Sequence, residues 1–171
     1  MKKFAAVIVL MAILALPSLA GPQEFKKGSF FLTPQVGINS YTIPFGVNAE
    51  FALTENIGVG GTAMVWLWSD EWFSQTLIGL SVEALYHFTT LNLEKIDLFA
   101  GLGLGYSIYS WSWKDIEFPG VTAGGSGLGV SFITGGRYWF SPKLGVSLRL
   151  AGGFGDWGAF GGQLGVVLRL K

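Results

Sequence analysis

From Ser29 onward the chain alternates. Phe30, Leu32, Pro34, Val36 and Ile38 share one parity of the first segment, and Phe31, Thr33, Gln35, Gly37 and Asn39 the other. This is the two-residue period of a strand whose faces meet different surroundings. The rule returns over residues 45–53, 57–67, 78–88, 97–109, 127–140, 144–151 and 163–171. Ile78, Leu80, Val82 and Ala84 oppose Gly79, Ser81, Glu83 and Leu85, and Leu98, Ala100, Leu102 and Leu104 oppose Asp97, Phe99, Gly101 and Gly103. Ile133 and Thr134 interrupt the sixth segment. The pattern predicts eight strands of about ten residues each, the length a tilted strand needs to cross a bilayer. Helical spans are excluded after the N-terminal segment, where no stretch approaches about 18 consecutive apolar residues.

The connections alternate too. Thr54–Asn56 and Ser141–Lys143 are tight polar turns, whereas Ser69–Gln75, Trp111–Gly125 and Gly155–Ala159 are longer. Short turns at one end and longer loops at the other is the layout of an all-β, antiparallel, up-and-down transmembrane barrel. A soluble lipocalin-like barrel would also alternate, with its apolar parity inside. Here the opposite parity is mostly Gly and Ser with several aromatics, a poor soluble surface, while the apolar parity carries no charge within the strand cores. The apolar parity therefore faces lipid, where a Lys or Arg near the midplane would cost about 2–4 kcal/mol. Trp66, Trp68, Trp72, Trp111, Trp113 and Trp157 gather towards the longer-loop end, and Tyr86, Phe88, Tyr138, Trp139 and Phe140 towards the other. Interfacial girdles are expected there, since amphipathic rings favour headgroup zones.

Composition sharpens this. Half of the 171 residues are apolar and 15% aromatic, only 13% are charged, Gly numbers 26 and Cys is absent. So few charges do not suit an ordinary soluble surface, and the apolar content excludes disorder. Without Cys there is no disulfide scaffold or cysteine-bound metal. Lys2 and Lys3, the apolar run Phe4–Leu16, Pro17 and the small residues Ser18 and Ala20 follow the grammar of a secretory signal. Removal after Ala20 leaves a short periplasmic segment, 21–28, and the barrel, 29–171. Nine bases then face eleven acids, and nothing in that balance points to nucleic acid.

The chain resembles the outer-membrane β-barrel domain family, the small eight-stranded OmpA/OmpX-like barrels, along nearly all of its mature length. Pro44–Phe51, Asp97–Tyr106 and Gly135–Pro142 carry the likeness, and the closing Leu168-Arg169-Leu170-Lys171 departs from the aromatic end common in such barrels. The resemblance implies a bacterial outer-membrane location. It also implies contact with outer-membrane lipids including lipopolysaccharide, handling by the outer-membrane assembly machinery, and a monomer.

An eight-stranded barrel has an interior that side chains can fill. Its inward parity carries Glu50, Glu83 and Asp97 together with Arg137, Arg149 and Arg169. Buried charges must pair, so an ion-pair network plugging the lower half is expected, against the alternative of a charged constriction for solutes. Inward glycines, notably Gly101, Gly103, Gly105, Gly127 and Gly129, make room for Phe31, Trp66, Tyr109 or Trp139 or leave a small lipid-accessible pocket. Envelope hydrolases and acyl transferases generally use a His base, and the sole one, His87, sits by the lower turn, where a structural role fits better. Asp70 with Glu71 and Asp115 with Glu117 read as solvated loop charges rather than a calcium site. No cofactor or metal and no catalysis are expected. A structural or surface-interaction barrel is favoured, with a small-solute or lipid-binding barrel as the alternative and an enzyme trailing.

Overall fold

The computed structural model describes residues 25–39, 43–69, 71–91, 93–113, 122–155 and 161–171. Eight strands follow in order: β1 Phe30–Asn39, β2 Phe45–Ala52, β3 Ile57–Ser69, β4 Phe73–His87, β5 Ile96–Trp113, β6 Thr122–Ser141, β7 Leu144–Gly155 and β8 Gly161–Arg169. Each pairs antiparallel with the next, and β1 pairs with β8, closing the barrel. Both ends of the closed sheet, Phe30 and Arg169, lie at the same rim, called lower here, with the turns 53–56, 88–95 and 142–143. A 3-10 turn, Thr89–Leu91, takes up part of the longest of these.

The two parities part as the alternation requires. Val82, Leu102, Leu104, Leu128, Phe132, Leu148 and Leu164 are exposed on the outside, while Thr33, Gln35, Asn48, Glu50, Thr62, Glu83 and Ser131 are buried inside. From Leu98 to Ile108 the outward residues of β5 climb about 33 Å along the strand at about 3.3 Å per residue, or about 25 Å of height once tilted by about 40°, the thickness of a barrel's apolar band. The lower girdle faces outward, with exposed Tyr86 against Phe88 at 5.4 Å and half-buried Tyr138 against Phe140 at 5.5 Å. Pro34 has no N–H to give the ladder, and the β1–β8 pairing passes from Leu32↔Leu168 to Gln35↔Gly165 without it.

Three expectations need correction. The strands are not uniform: β2 has 8 residues and β8 has 9, but β5 has 18 and β6 has 20. Much of what the sequence suggests as upper loop is paired strand, since ladder bonds satisfy backbone groups just as well above the bilayer. Ile133 and Thr134 do not break the alternation, for Ile133 is buried inside and Thr134 faces out. Only the chemistry is swapped there, and the Thr134 hydroxyl donates to the Phe99 carbonyl at 3.2 Å. The upper aromatics, finally, are not an outward girdle, as described below.

Candidate functional site

The lower lumen is filled from the N-terminal side. Gly28 adopts a φ of 85°, a left-handed turn that glycine makes at no steric cost, and Ser29 N–H donates back to the Lys26 carbonyl at 3.0 Å. This turn folds Phe25 into the barrel, where it stacks on His87 with ring centroids 3.6 Å apart and on Phe31 at 5.6 Å. Phe25, Phe31, Ala52, Trp139 and Val167 form one buried apolar cluster. Trp139 is therefore an interior residue, 3% exposed, and not an interfacial one. Its parity sets this, because it shares the inward face with Arg137 whereas Tyr138 and Phe140 do not.

Charge is held around this cluster. The His87 ring nitrogens lie 2.7 Å from Asp97 Oδ1, through Nδ1, and 2.7 Å from Glu50 Oε1, through Nε2. Arg137 donates from Nη2 to Glu50 Oε2 and, at 3.4 Å, from Nη1 to Asp97 Oδ2. In its doubly protonated form His87 donates to both acids, and the four groups then sum to zero. The Arg137 guanidinium also lies over Phe31 at 4.8 Å and Phe99 at 5.2 Å, so its faces as well as its edges are occupied. Gly58 completes the fit, because a Cβ there would collide with the Glu50 carboxylate.

A second group is built on Glu83. Its Oε2 accepts from Arg149 Nη2 at 2.6 Å and Asn48 Nδ2 at 3.2 Å, and its Oε1 from Thr62 at 2.7 Å and Ser81 at 2.8 Å. Leu85, Phe99 and Ile133 make a further buried cluster, and Phe99 crosses Gly135, where a Cβ would stand 2.8 Å from its ring. Beyond this lies a cavity of about 60 Å³ lined by Thr62, Trp66, Ser81, Ser131, Arg149 and Gln163 among others. Gly125, too, is the seat of an aromatic, the ring of Tyr109.

Of the six charges expected in the interior, Glu50, Glu83, Asp97, Arg137 and Arg149 are thus distributed over two linked clusters. Arg169 joins neither: at the lower rim its Nε donates to the Lys171 carbonyl at 3.3 Å, because the lumen opens there and the chain end offers a nearer acceptor. His87 enters the network as a central member, and Phe25 closes it from below. The signal for His87 is its inward parity, two steps along the inward row from Glu83; Phe25 precedes the alternation, and local sequence gives no cue to its place.

The upper wall is the other feature. Among the described residues β2 pairs with β3 as far as Phe45↔Val65 and β7 with β6 as far as Gly129↔Gly155, but β3–β6 continue to pair with one another up to Ser69↔Ser74, Phe73↔Trp113 and Ser112↔Thr122. A four-stranded sheet therefore rises above the closed barrel. On β4, β5 and β6 its outward parity turns polar above Ile78 and Ile108, to Thr76, Ser74, Ser110, Ser112 and Ser126, while Leu67 on β3 stays apolar and exposed opposite Thr76; the Ser74 and Ser112 hydroxyls are 2.8 Å apart. The inward parity turns aromatic, with Trp66, Trp68, Phe73, Tyr109, Trp111 and Trp113. Trp66, Trp68, Trp111 and Trp113 thus look over the mouth rather than to lipid. Trp72, in the β3–β4 turn, is 63% exposed. Residues 1–20, Asp70, Asp115, Glu117 and Trp157 lie outside the described residues.

This combination of a closed antiparallel eight-stranded ladder, an apolar outside and a polar inside has solved counterparts. The chain has the fold of the small eight-stranded outer-membrane barrels. The N-terminal β-barrel domain of Pseudomonas aeruginosa OprF superposes with a TM-score of 0.63 at 16% identity, over 84% of this chain and 98% of that one. Neisserial surface protein A gives 0.58 at 13% identity over 84% and 94%, and Ail, the attachment invasion locus protein of Yersinia pestis, 0.55 at 14% over 84% and 97%. No protein-family model and no curated protein sequence matches the chain. At such identities the barrel shares an architecture with these proteins.

Proposed function

We propose that the protein is an integral outer-membrane barrel, closed to solutes and without catalytic activity, that presents its raised sheet as an interaction surface outside the cell. The observation that carries this is the change of the outer face from Ile78 and Ile108 to Ser and Thr while the ladder runs on unbroken. A sheet continued beyond the apolar band in that way stands in water. By the usual orientation of such barrels, with short turns in the periplasm, it stands on the extracellular side. Lipopolysaccharide and phospholipid then contact the band, assembly proceeds through the outer-membrane machinery, and the barrel works as a monomer. Among the fold's other members, one is named for attachment and invasion and another as a surface protein, which accords with this role. The alternative of a small-solute channel is opposed by the filling of the lower lumen.

Two measurements test the proposal. A Ser112→Cys variant should be modified by a membrane-impermeant maleimide on intact cells, whereas Val82→Cys should not. In planar bilayers the protein should show no steady open state; a stable conductance would favour the channel instead, and an unlabelled Ser112→Cys in a folded barrel would refute the surface role.

A further inference from the structure

The raised sheet and the cavity beneath it form one continuous surface. Trp66 belongs to both, lining the cavity and pairing with Leu77, which pairs in turn with Tyr109. One inward row higher stand Trp68 and Trp111 on either side of Gln75, and above them Phe73 pairs with Trp113. The rings interlock edge to face, Trp68 with Phe73 at 5.4 Å, Phe73 with Trp113 at 6.3 Å and Trp111 with Trp113 at 5.4 Å, so the wall is held in shape before anything binds. Trp68, Tyr109 and Trp113 are nevertheless 40%, 39% and 43% exposed.

The floor is polar and incompletely satisfied. Arg149 is 2% exposed and gives Nη2 to Glu83, but its Nε and Nη1, and Gln163 Oε1, have no hydrogen-bond partner among the described residues. Buried polar groups are costly to leave in that condition. Arg149 and Gln163 line the cavity of about 60 Å³, so two donors and an acceptor lie just behind its wall, with the charge of Arg149 already balanced by Glu83.

We infer that this mouth binds the end of a neutral oligosaccharide with equatorial hydroxyls, its sugar faces against Trp68, Trp111 and Trp113 and a terminal pair of hydroxyls on Arg149 and Gln163. A hydroxyl both gives and accepts a hydrogen bond, as the mixed floor requires, and an all-equatorial pyranose turns its C–H bonds to the ring faces above. A carboxylate-headed amphiphile fits worse. It brings unbalanced charge to a neutralised floor and leaves its chain at the level where the outer surface is Ser and Thr. Pockets of this kind combine apolar walls with a few convergent polar groups.

The inference rests on the surface role proposed above, but its test is separate from the labelling of intact cells. The full chain, refolded in lauryldimethylamine oxide to avoid a sugar detergent, is titrated with cellohexaose while tryptophan emission and saturation-transfer NMR are followed. Saturable binding is expected, weakened about tenfold by Trp111→Ala or Trp113→Ala, weakened by Gln163→Ala, and unchanged by Tyr86→Ala on the lower girdle. The variants' folded state is checked by heat-modifiable gel mobility. No saturable binding by the folded wild type, binding indifferent to Trp113→Ala, or binding of dodecanoate in place of cellohexaose would each overturn the inference. If Ser112→Cys still labels on cells, that failure leaves the surface role standing.

Discussion

Glu50 and Arg137 show what one buried charge demands of its neighbours. Both side chains are 1% exposed, and either alone would be an uncompensated ion in a closed lumen. Arg137→Ala is therefore expected to destabilise the barrel by about 3–5 kcal/mol, read from urea unfolding in phospholipid vesicles. The paired replacement Glu50→Gln with Arg137→Met should cost less than the two single changes together, a coupling that a double-mutant cycle measures. Gly58→Ala asks the same question from the other side. Its Cβ would push on a carboxylate already fixed by Arg137 and His87, with an expected loss of about 1–3 kcal/mol for overpacking. Parity indicates that Glu50 and Arg137 face inward; that Gly58 is the space left for Glu50 becomes visible only across the β2–β3 ladder.

At the level of the strand, alternation decides nearly everything, because a slip of one residue would exchange lumen and lipid along the whole segment. Val82, 65% exposed in the outward row of β4, should tolerate Arg badly, at about 2–4 kcal/mol, whereas Ser110→Arg on the outward row of β5 should cost about 0–1 kcal/mol. Equal costs at the two positions would mean that the apolar band does not end above Ile108. The same alternation leads the eye astray at the upper end. Trp66, Trp68, Trp111 and Trp113 resemble a girdle in sequence because girdles are rich in Trp, yet their parity is that of Met64 and Ser107, which are buried inside. Composition suggests the headgroup zone, and phase excludes it. Trp139 is the same case at the lower end.

The filling of the lower lumen belongs to the molecule as a whole. Phe25, brought back by the turn at Gly28, and Arg137, reaching from β6 to Glu50 on β2, obstruct the lumen from separate parts of the chain. On the proposal that the wild type is silent, the double variant Phe25→Ala with Arg137→Ala should show brief openings in planar bilayers, and persistent silence would place the barrier higher, at Glu83 and Arg149. The fold class, the number of strands, the direction of each face and five members of the interior charge clusters are legible in the sequence, since period and parity are local and a membrane punishes any charge on the wrong side. Strand length, the meeting of His87 with Glu50 and Asp97, the departure of Arg169, the insertion of Phe25 and the aromatic wall above the mouth are not, since each depends on which residues closure brings opposite one another. Local alternation fixes where a side chain points; only the closed ladder fixes what it meets.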